Sequence, residues 1–461
     1  MALSSQAVES LRSAIAGDVF LPGEPGYDEA RRTWNLIADE RPALVVVVRS
    51  ADDVVAAVRF AGQQGMRIAP QGTGHGSAPL EALDGAMQIR TGEMRKVVID
   101  PEARTARVQA GAAWRDVTVP AAAHGLAGLA GTSPNVGVVG YTLGGGLGWL
   151  ARRFGLAANS VIAADIVTPN GRLIHADSDN EPDLLWTVRG GGGGVGVVTA
   201  LEIALYPVSE IYAGTLFFPI QRSSEILHAW REWTNTLPDA VTSTGRILRV
   251  PSIPSVPEQL RGREFVTVEA ACIGDATAGA EQIKPLRQLN PEIDTFAMTP
   301  APELGRLHMD PEEPVPFYGD GALLTDFPAA AVDAVVSQAG PDADTTLDNV
   351  EVRHLGGRLA QAALTAGAQP KLEAEYLVFS YSITPTQDIA DAALTHAHAL
   401  NDALAGWRAA YDEPNIRQSP VAANCVLSPA SFRRLQEIRA KYDPEQAIIS
   451  VHPAWPAHGQ V

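Results

Sequence analysis

The stretch that most constrains the fold is Arg189-Gly190-Gly191-Gly192-Gly193-Gly194-Val195-Gly196-Val197-Val198. Gly191, Gly193 and Gly196 satisfy the spacing G-x-G-x-x-G, which in a doubly wound dinucleotide-binding fold follows a strand and opens a helix. Here the order is reversed. Pro182 to Trp186 reads as a helix before the glycines, and Val197 to Leu205 as a strand after them. No Gly-Lys-Ser/Thr follows, so a Walker-type phosphate loop is excluded as well. The helices and strands of this chain must be arranged in another way.

Two further glycine clusters lie upstream. After a short strand at Arg67 to Ala69 comes the loop Pro70-Gln71-Gly72-Thr73-Gly74-His75-Gly76-Ser77. Successive free N–H groups in such a bend form a concavity suited to anions, typically phosphate. A histidine with glycines on both sides is expected to be exposed, without side-chain support, where a ligand would lie. On these residues alone, a functional histidine and an ordinary polar loop residue fit equally well. The second cluster runs from Gly131 to Gly148, with Gly137, Gly140, Gly144 and Gly148 three or four apart. If helical, these present a smooth face to a flat group. Close packing of elements is the structural alternative, but each glycine costs a helix about 1 kcal/mol relative to alanine. Ligand contact is therefore the preferred reading.

Around these clusters the sequence predicts an α+β chain in three parts: residues 1–210, 211–414 and 415–461. Residues 1–40 read as polar and helical, and Ala43 to Arg49 as a strand. A helix then opens on a capping box at Ser50-Ala51-Asp52-Asp53, buries Val54, Val55, Val58 and Ala61, and stops at Gly65. A hairpin is signalled by Asn170-Gly171 between Ile162–Val167 and Arg172–Ala176. In the second part, candidate strands (Phe265–Ala271, Val350–His354, Glu375–Ile383) alternate with helices (Ser224–Thr236, Thr277–Gln288, Ile389–Ala405), which indicates an antiparallel sheet with helical cover. The tail carries a helix from Pro429 to Ala440.

A formal net charge of −18 argues against nucleic acid and anionic membrane as partners. No apolar run approaches the length of a membrane span, and the first residues show no secretory pattern. Two distant cysteines, Cys272 and Cys425, make neither a disulfide framework nor a metal-ligand set. The expectation is a cytoplasmic protein without a metal.

Taken together, these residues resemble the berberine bridge enzyme-like oxidases of the vanillyl-alcohol oxidase superfamily. Gly72-Thr73-Gly74-His75-Gly76 is similar to the family's Arg-Gly-Gly-Gly-His-Ser loop, and Ser133-Pro134-Asn135-Val136-Gly137 to its Cys-Pro-x-Val-Gly run. Arg189 to Thr199, Arg353-His354-Leu355-Gly356-Gly357 and Tyr442-Asp443-Pro444 resemble three more of its motifs. The resemblance implies a p-cresol methylhydroxylase-type FAD-binding domain and a substrate domain whose antiparallel sheet is covered by helices. It also implies FAD linked covalently through His75 alone, since Ser133 stands where many members carry a second, cysteinyl link. The implied cofactor residues are Gln71, Gly72, Thr73, Gly74, His75, Gly76 and Ser77 in the first loop. Ser133, Val136, Gly137, Val138, Gly140, Tyr141, Gly144 and Gly148 follow in the second cluster, with Val198 and His452 beyond it. The implied reaction moves hydride from a small organic substrate (alcohol, sugar, amine or secondary metabolite) to flavin, and O₂ then reoxidises the flavin to give H₂O₂. Val138, a small aliphatic residue, leans towards an oxidase. The tyrosines that relatives use as acid–base groups are replaced here by Leu147 and by residues around Asn424. Tyr376, Tyr141 and Glu375 remain as catalytic candidates, with Glu373 and His354 weaker. A flavin dehydrogenase with another electron acceptor and a catalytically silent flavin-binding relative are the alternatives.

Overall fold

The computed structural model describes residues 3–254, 256–363 and 366–454. Leu44–Val47, an apolar run rich in β-branched valine, forms the second strand of a four-stranded sheet. It runs parallel to Met87–Arg90, which in turn runs parallel to Ile68–Gln71. The crossover between Leu44–Val47 and Ile68–Gln71 is the helix Ala51–Gln64. Ser50 caps it by accepting from the Asp53 N–H, and Gly65, at φ +63°, ends it. Asp53 does not complete a capping box: its carboxylate accepts instead from the N–H groups of Arg49 (2.8 Å) and Ala16 (3.0 Å). Val54, Ala57, Val58 and Ala61 are buried, and Val55 is only partly covered.

Residues 1–40 depart from the helical expectation. Helices Ser5–Ala14 and Tyr27–Arg31 flank a strand, Asp18–Phe20, that pairs antiparallel with Leu44–Val47. The run Pro22-Gly23-Glu24-Pro25-Gly26 cannot continue a helix, and the sheet edge supplies hydrogen-bond partners for Asp18–Phe20.

A second, antiparallel sheet has the order Val97–Asp100, Thr105–Gln109, Val197–Ala204, Val161–Val167, Leu173–Ala176. The last two strands form the hairpin signalled by Asn170-Gly171. The third sheet has eight strands, all paired antiparallel. Five of them, Glu210–Pro219, Val241–Arg249, Ile293–Asp294, Ala297–Pro300 and Phe317–Leu324, were not expected from the sequence. Helices Ser223–Thr234, Ala276–Arg287, Ala329–Ala339 and Gln387–Ala403 contribute with this sheet to one apolar core. Val350, Val352, Tyr376 and Val378 point into that core. Their sequence neighbours point to the opposite face, because successive strand side chains alternate. After the last helix of the third sheet the chain returns: Ala423, Val426, Leu435 and Ile438 pack in the core of the second sheet, and Ile448 bridges Ile68. No described helix is long and apolar enough to cross a membrane.

Arg152 joins the two halves. Its Nε donates to the Leu355 carbonyl (2.7 Å) and its Nη1 to the carbonyls of Pro238 (3.2 Å) and Val241 (2.5 Å), at a site where the side chain is buried. Replacing Arg152 with methionine strands these carbonyls away from water, at a cost of about 3 kcal/mol. The expected outcome for Arg152→Met is a Tm lowered by several degrees in scanning calorimetry; an unchanged Tm would show that these carbonyls need no charged donor.

Candidate active site

A cavity of about 430 Å³ lies between the glycine loops of the first half and the inner face of the eight-stranded sheet. The His75 loop forms one wall, and it is supported rather than free. Trp34 stacks on the imidazole, with ring centroids 3.9 Å apart and planes 15° from parallel. The Trp34 N–H donates to the Thr73 carbonyl (3.0 Å), and Ser77 Oγ to the Gly74 carbonyl (2.8 Å). A Cβ on Gly74, which has φ +82°, would come within 2.9 Å of the Thr33 Cβ. Burial lowers the His75 pKa to about 3 against the opposing hydrogen bonds of Asn135. The ring is therefore neutral at ordinary pH, and its buried Nε2 has no hydrogen-bond partner among the described residues.

The glycines divide by cause. A Cβ on Gly148 would sit 1.8 Å from the Ala130 carbonyl oxygen, and one on Gly144 2.0 Å from Asn415 Oδ1, so close packing accounts for both. Helix Val138–Leu143 also ends at Gly144, so the row of four glycines is not one helical face. Gly76 and Gly140 are different. Both line the cavity, and a Cβ on either would meet no protein atom within 4 Å. Neither protein packing nor left-handed backbone requires glycine there, and the space in front of both is open.

The opposite wall carries a row of buried charges. Arg246 pairs with Glu269 (3.1 Å), Glu269 with His308 (2.5 Å), His308 with Glu351 (2.7 Å), and Glu351 with Arg353 (2.7 Å). Burial and the Arg246 charge lower the His308 pKa, but Glu269, Glu351 and Asp310 outweigh them and raise it to about 9. Burial alone would raise Glu351; Arg353 and His308 hold it well below the usual carboxylate range. Glu413 also lines the cavity, its carboxylate accepting from the N–H groups of Gly146 (3.3 Å), Asn415 (2.9 Å) and Ile416 (3.2 Å). Burial, against those donors, pushes it up to about 7.

Residues 42–177 match the family described as FAD binding domain. The structure of 6-hydroxy-D-nicotine oxidase from Arthrobacter nicotinovorans superposes with a TM-score of 0.80 at 25% identity, covering 94% of this chain and 96% of that one. Residues 42–177 form an FAD-binding domain, and the whole chain has the fold of the berberine bridge enzyme-like oxidases. By sequence it is 27% identical over 450 residues to the FAD-linked oxidoreductase YvdP of Bacillus subtilis, covering 94% of this chain and 97% of that protein. It is 34% identical over 220 residues to the FAD-linked oxidoreductase pgmH of Aspergillus terreus, where the match takes in 47% of this chain and only 45% of that relative's length. The α+β fold is thus of the p-cresol methylhydroxylase type.

Within this FAD-linked fold, Gln71 to Ser77, Ser133, Val136, Gly137, Gly140, Tyr141, Gly144, Val198 and His452 all line the cavity. Four of the expected site residues do not. Val138 is fully buried in the core of the second sheet, because the short helix turns Val139, Gly140 and Leu143 to the cavity instead. Gly148 serves packing. Tyr376 faces the helices: its hydroxyl bonds Thr234 Oγ1 (2.8 Å) and its ring packs near Trp230 and Phe327. Glu375 lies outside the cavity lining and is exposed, just before the strand Tyr376–Ile383 begins. Glu373 is likewise outside that strand, and His354 shares the helix-facing side with Tyr376. The chain's last part reaches the cavity through Glu413 to Gln418 and Ile449 to His452, not through Asn424 and the exposed Cys425. Sequence reading missed Trp34, His308, Glu351, Phe379, Tyr381 and Glu413, and named Arg353 only within a motif, without a site role. The alternation Val350-Glu351-Val352-Arg353 was the available signal, since period two puts both charges on one face.

The pH dependence of stability tests the charge row. With a folded pKa of about 9 against roughly 6.5 unfolded, protonated His308 contributes its full share below about pH 6.5. That share, about 3 kcal/mol, is lost as pH rises through about 9. Wild-type Tm is expected to fall across this window, and His308→Gln to have a lower Tm with a flatter profile. Parallel profiles would contradict an imidazolium at this position.

Proposed function

We propose that this chain is an FAD-dependent oxidase that carries its flavin covalently through His75 and oxidises a small organic molecule in the cavity beneath the eight-stranded sheet. The observation that carries the reading is His75 in the cavity wall, a neutral ring stacked on Trp34 with a buried, unpartnered Nε2, beside open space at Gly76 and Gly140. When bound, FAD supplies a two-electron acceptor that takes hydride from a substrate carbon. A neutral imidazole has one ring nitrogen without a proton, and this is the form of histidine able to attack an electrophilic carbon. Trp34 fixes its plane, and the bonded Thr73 and Gly74 carbonyls fix the loop. The protein's overall charge opposes an anionic cofactor, so local N–H groups of the glycine loops have to hold the diphosphate.

Tyr141 keeps its proton. Burial, reinforced by the Glu413 charge, holds the phenol above its usual range, so it acts in the cavity as a hydrogen-bond donor. His452 lies between the carbonyls of Val421 (3.1 Å) and Pro414 (2.9 Å) and fastens the tail to the same wall. Leu377, Phe379, Tyr381 and Phe317 give the substrate side a largely apolar surface, which favours an aromatic or alicyclic molecule over a sugar. Reoxidation by O₂ to H₂O₂ is supported by the likeness to a nicotine oxidase. Because Val138 turns into the core, it does not bear on oxygen access, and a dehydrogenase with another acceptor is the second reading. We further propose a flavin domain of residues 1–210, a substrate domain of 211–414 and a returning tail of 415–461. A cytoplasmic location accords with two free cysteines, one buried and one exposed.

Acid precipitation of purified wild type and His75→Ala tests the link. The wild-type pellet is expected to be yellow and the variant to release flavin to the supernatant. Release from both would remove the covalent bond, and colourless protein would remove the flavin reading. H₂O₂ formation with a panel of aromatic alcohols, phenols and amines then separates oxidase from dehydrogenase.

A further inference from the structure

The charge row has an odd number of members. Arg246, His308 and Arg353 are three cations; Glu269 and Glu351 are two carboxylates, each shared between two cations. Within the row itself one positive charge is left over, with Asp310 and Glu413 acting on it from the cavity lining, and the member at the cavity end is Arg353, whose side chain is 20% exposed. Glu351 is not free to cancel it, because its second oxygen lies 2.7 Å from His308 Nε2.

Arg353 is also oriented. Its Nε (3.1 Å) and Nη2 (2.7 Å) both donate to Glu351 Oε1. Nη1 makes no hydrogen bond or ion pair among the described residues. Tyr141 lines the same cavity within electrostatic range of Arg353, and its buried hydroxyl has no partner among the described residues. Two unpaired donors therefore belong to one chamber with apolar and aromatic walls. A planar guanidinium held by one edge presents its remaining N–H groups to a carboxylate or phenolate with little loss of entropy. A cationic amine placed there would be repelled at low dielectric, where like charges interact strongly.

We propose that the substrate of this cavity is an aromatic anion whose carboxylate or phenolate oxygen docks on Arg353, with Tyr141 as second donor. The inference rests on the reading of the cavity as the flavin and substrate chamber. The groups that act on Arg353 are Glu351, Asp310, Glu413 and Tyr141. Asp310, which accepts from Thr132 Oγ1 (3.1 Å), is pushed up by burial, and Glu413 is pushed up to about 7. While Glu413 holds its proton it adds a donor; as it ionises it opposes an anion. Anion affinity is therefore strongest on the acid side of neutrality and weakens as pH rises.

The test is calorimetric binding of three isosteric probes, benzoate, benzamide and benzylamine, to the purified protein with its flavin, at about pH 6 and about pH 8. Benzoate is expected to bind about tenfold tighter than either other probe at the lower pH, with the margin narrowing at the higher. Arg353→Met is expected to erase the benzoate preference while leaving benzamide affinity and bound flavin unchanged. Tyr141→Phe, which leaves the charge row intact, is expected to weaken benzoate by a few-fold. Wild-type protein that binds benzylamine as tightly as benzoate overturns the proposal whatever the variants do. So does Arg353→Met that keeps the preference. Flavin-free protein that still prefers benzoate would overturn the flavin reading and leave the anion site standing, and flavin-loaded protein without the preference would do the reverse.

Discussion

The chemistry of this molecule depends on the two faces of one antiparallel sheet. Alternation along each strand sends Val350, Val352, Tyr376 and Val378 into a helix-covered core, and Glu351, Arg353, Leu377, Phe379 and Tyr381 to the opposite side. A single-residue slip in register would exchange the two sets and place charges among the helices. Dense apolar packing on the covered face, with Trp230 fully buried against Gly245, holds the register. The cavity therefore owes its polarity pattern to packing on the far side of the sheet.

Buried ions are costly unless each finds a partner, and removing one partner is strongly destabilising. The row from Arg246 to Arg353 meets that condition by alternation, and neighbouring strands supply its members in register, as where Arg246 lies opposite Glu351. His308 enters from a loop and closes the gap between Glu269 and Glu351. Such a row does more to position than to stabilise: it leaves Arg353 with one orientation in a chamber that is otherwise mostly apolar. Across the cavity the His75 loop is rigid for a different reason. It is clasped by Thr33, Trp34 and the backbone of Asn35, residues that lie far from it in the sequence.

Much of the framework was legible from local pattern. Helix Ala51–Gln64, with its Ser50 cap and Gly65 stop, the Asn170-Gly171 hairpin, and the reversed order around the third glycine cluster are fixed by short-range chemistry. What escaped was long-range. The strand Asp18–Phe20 exists because a partner edge is present, and Glu210–Pro219 pairs with Glu264–Cys272 across a long stretch of sequence. The glycine clusters fall largely at the cavity, but Gly144 and Gly148 answer to Asn415 and Ala130, which sequence spacing cannot reveal. Tyr376 stood as a candidate because it lies on a substrate-domain strand; period two placed it on the helix side. Trp34 and Glu413 carried no local signal, because each matters only through what the fold brings beside it.

The central claim is that flavin and substrate share the cavity between the His75 loop and the inner face of the eight-stranded sheet. A crystal structure of the protein purified with its own cofactor tests this most directly. The account predicts isoalloxazine density joined to the His75 ring, lying over Gly140, with Arg353 and Tyr141 open on the substrate side. Flavin density elsewhere, or a His75 ring with its Nε2 bonded to protein instead, would contradict it.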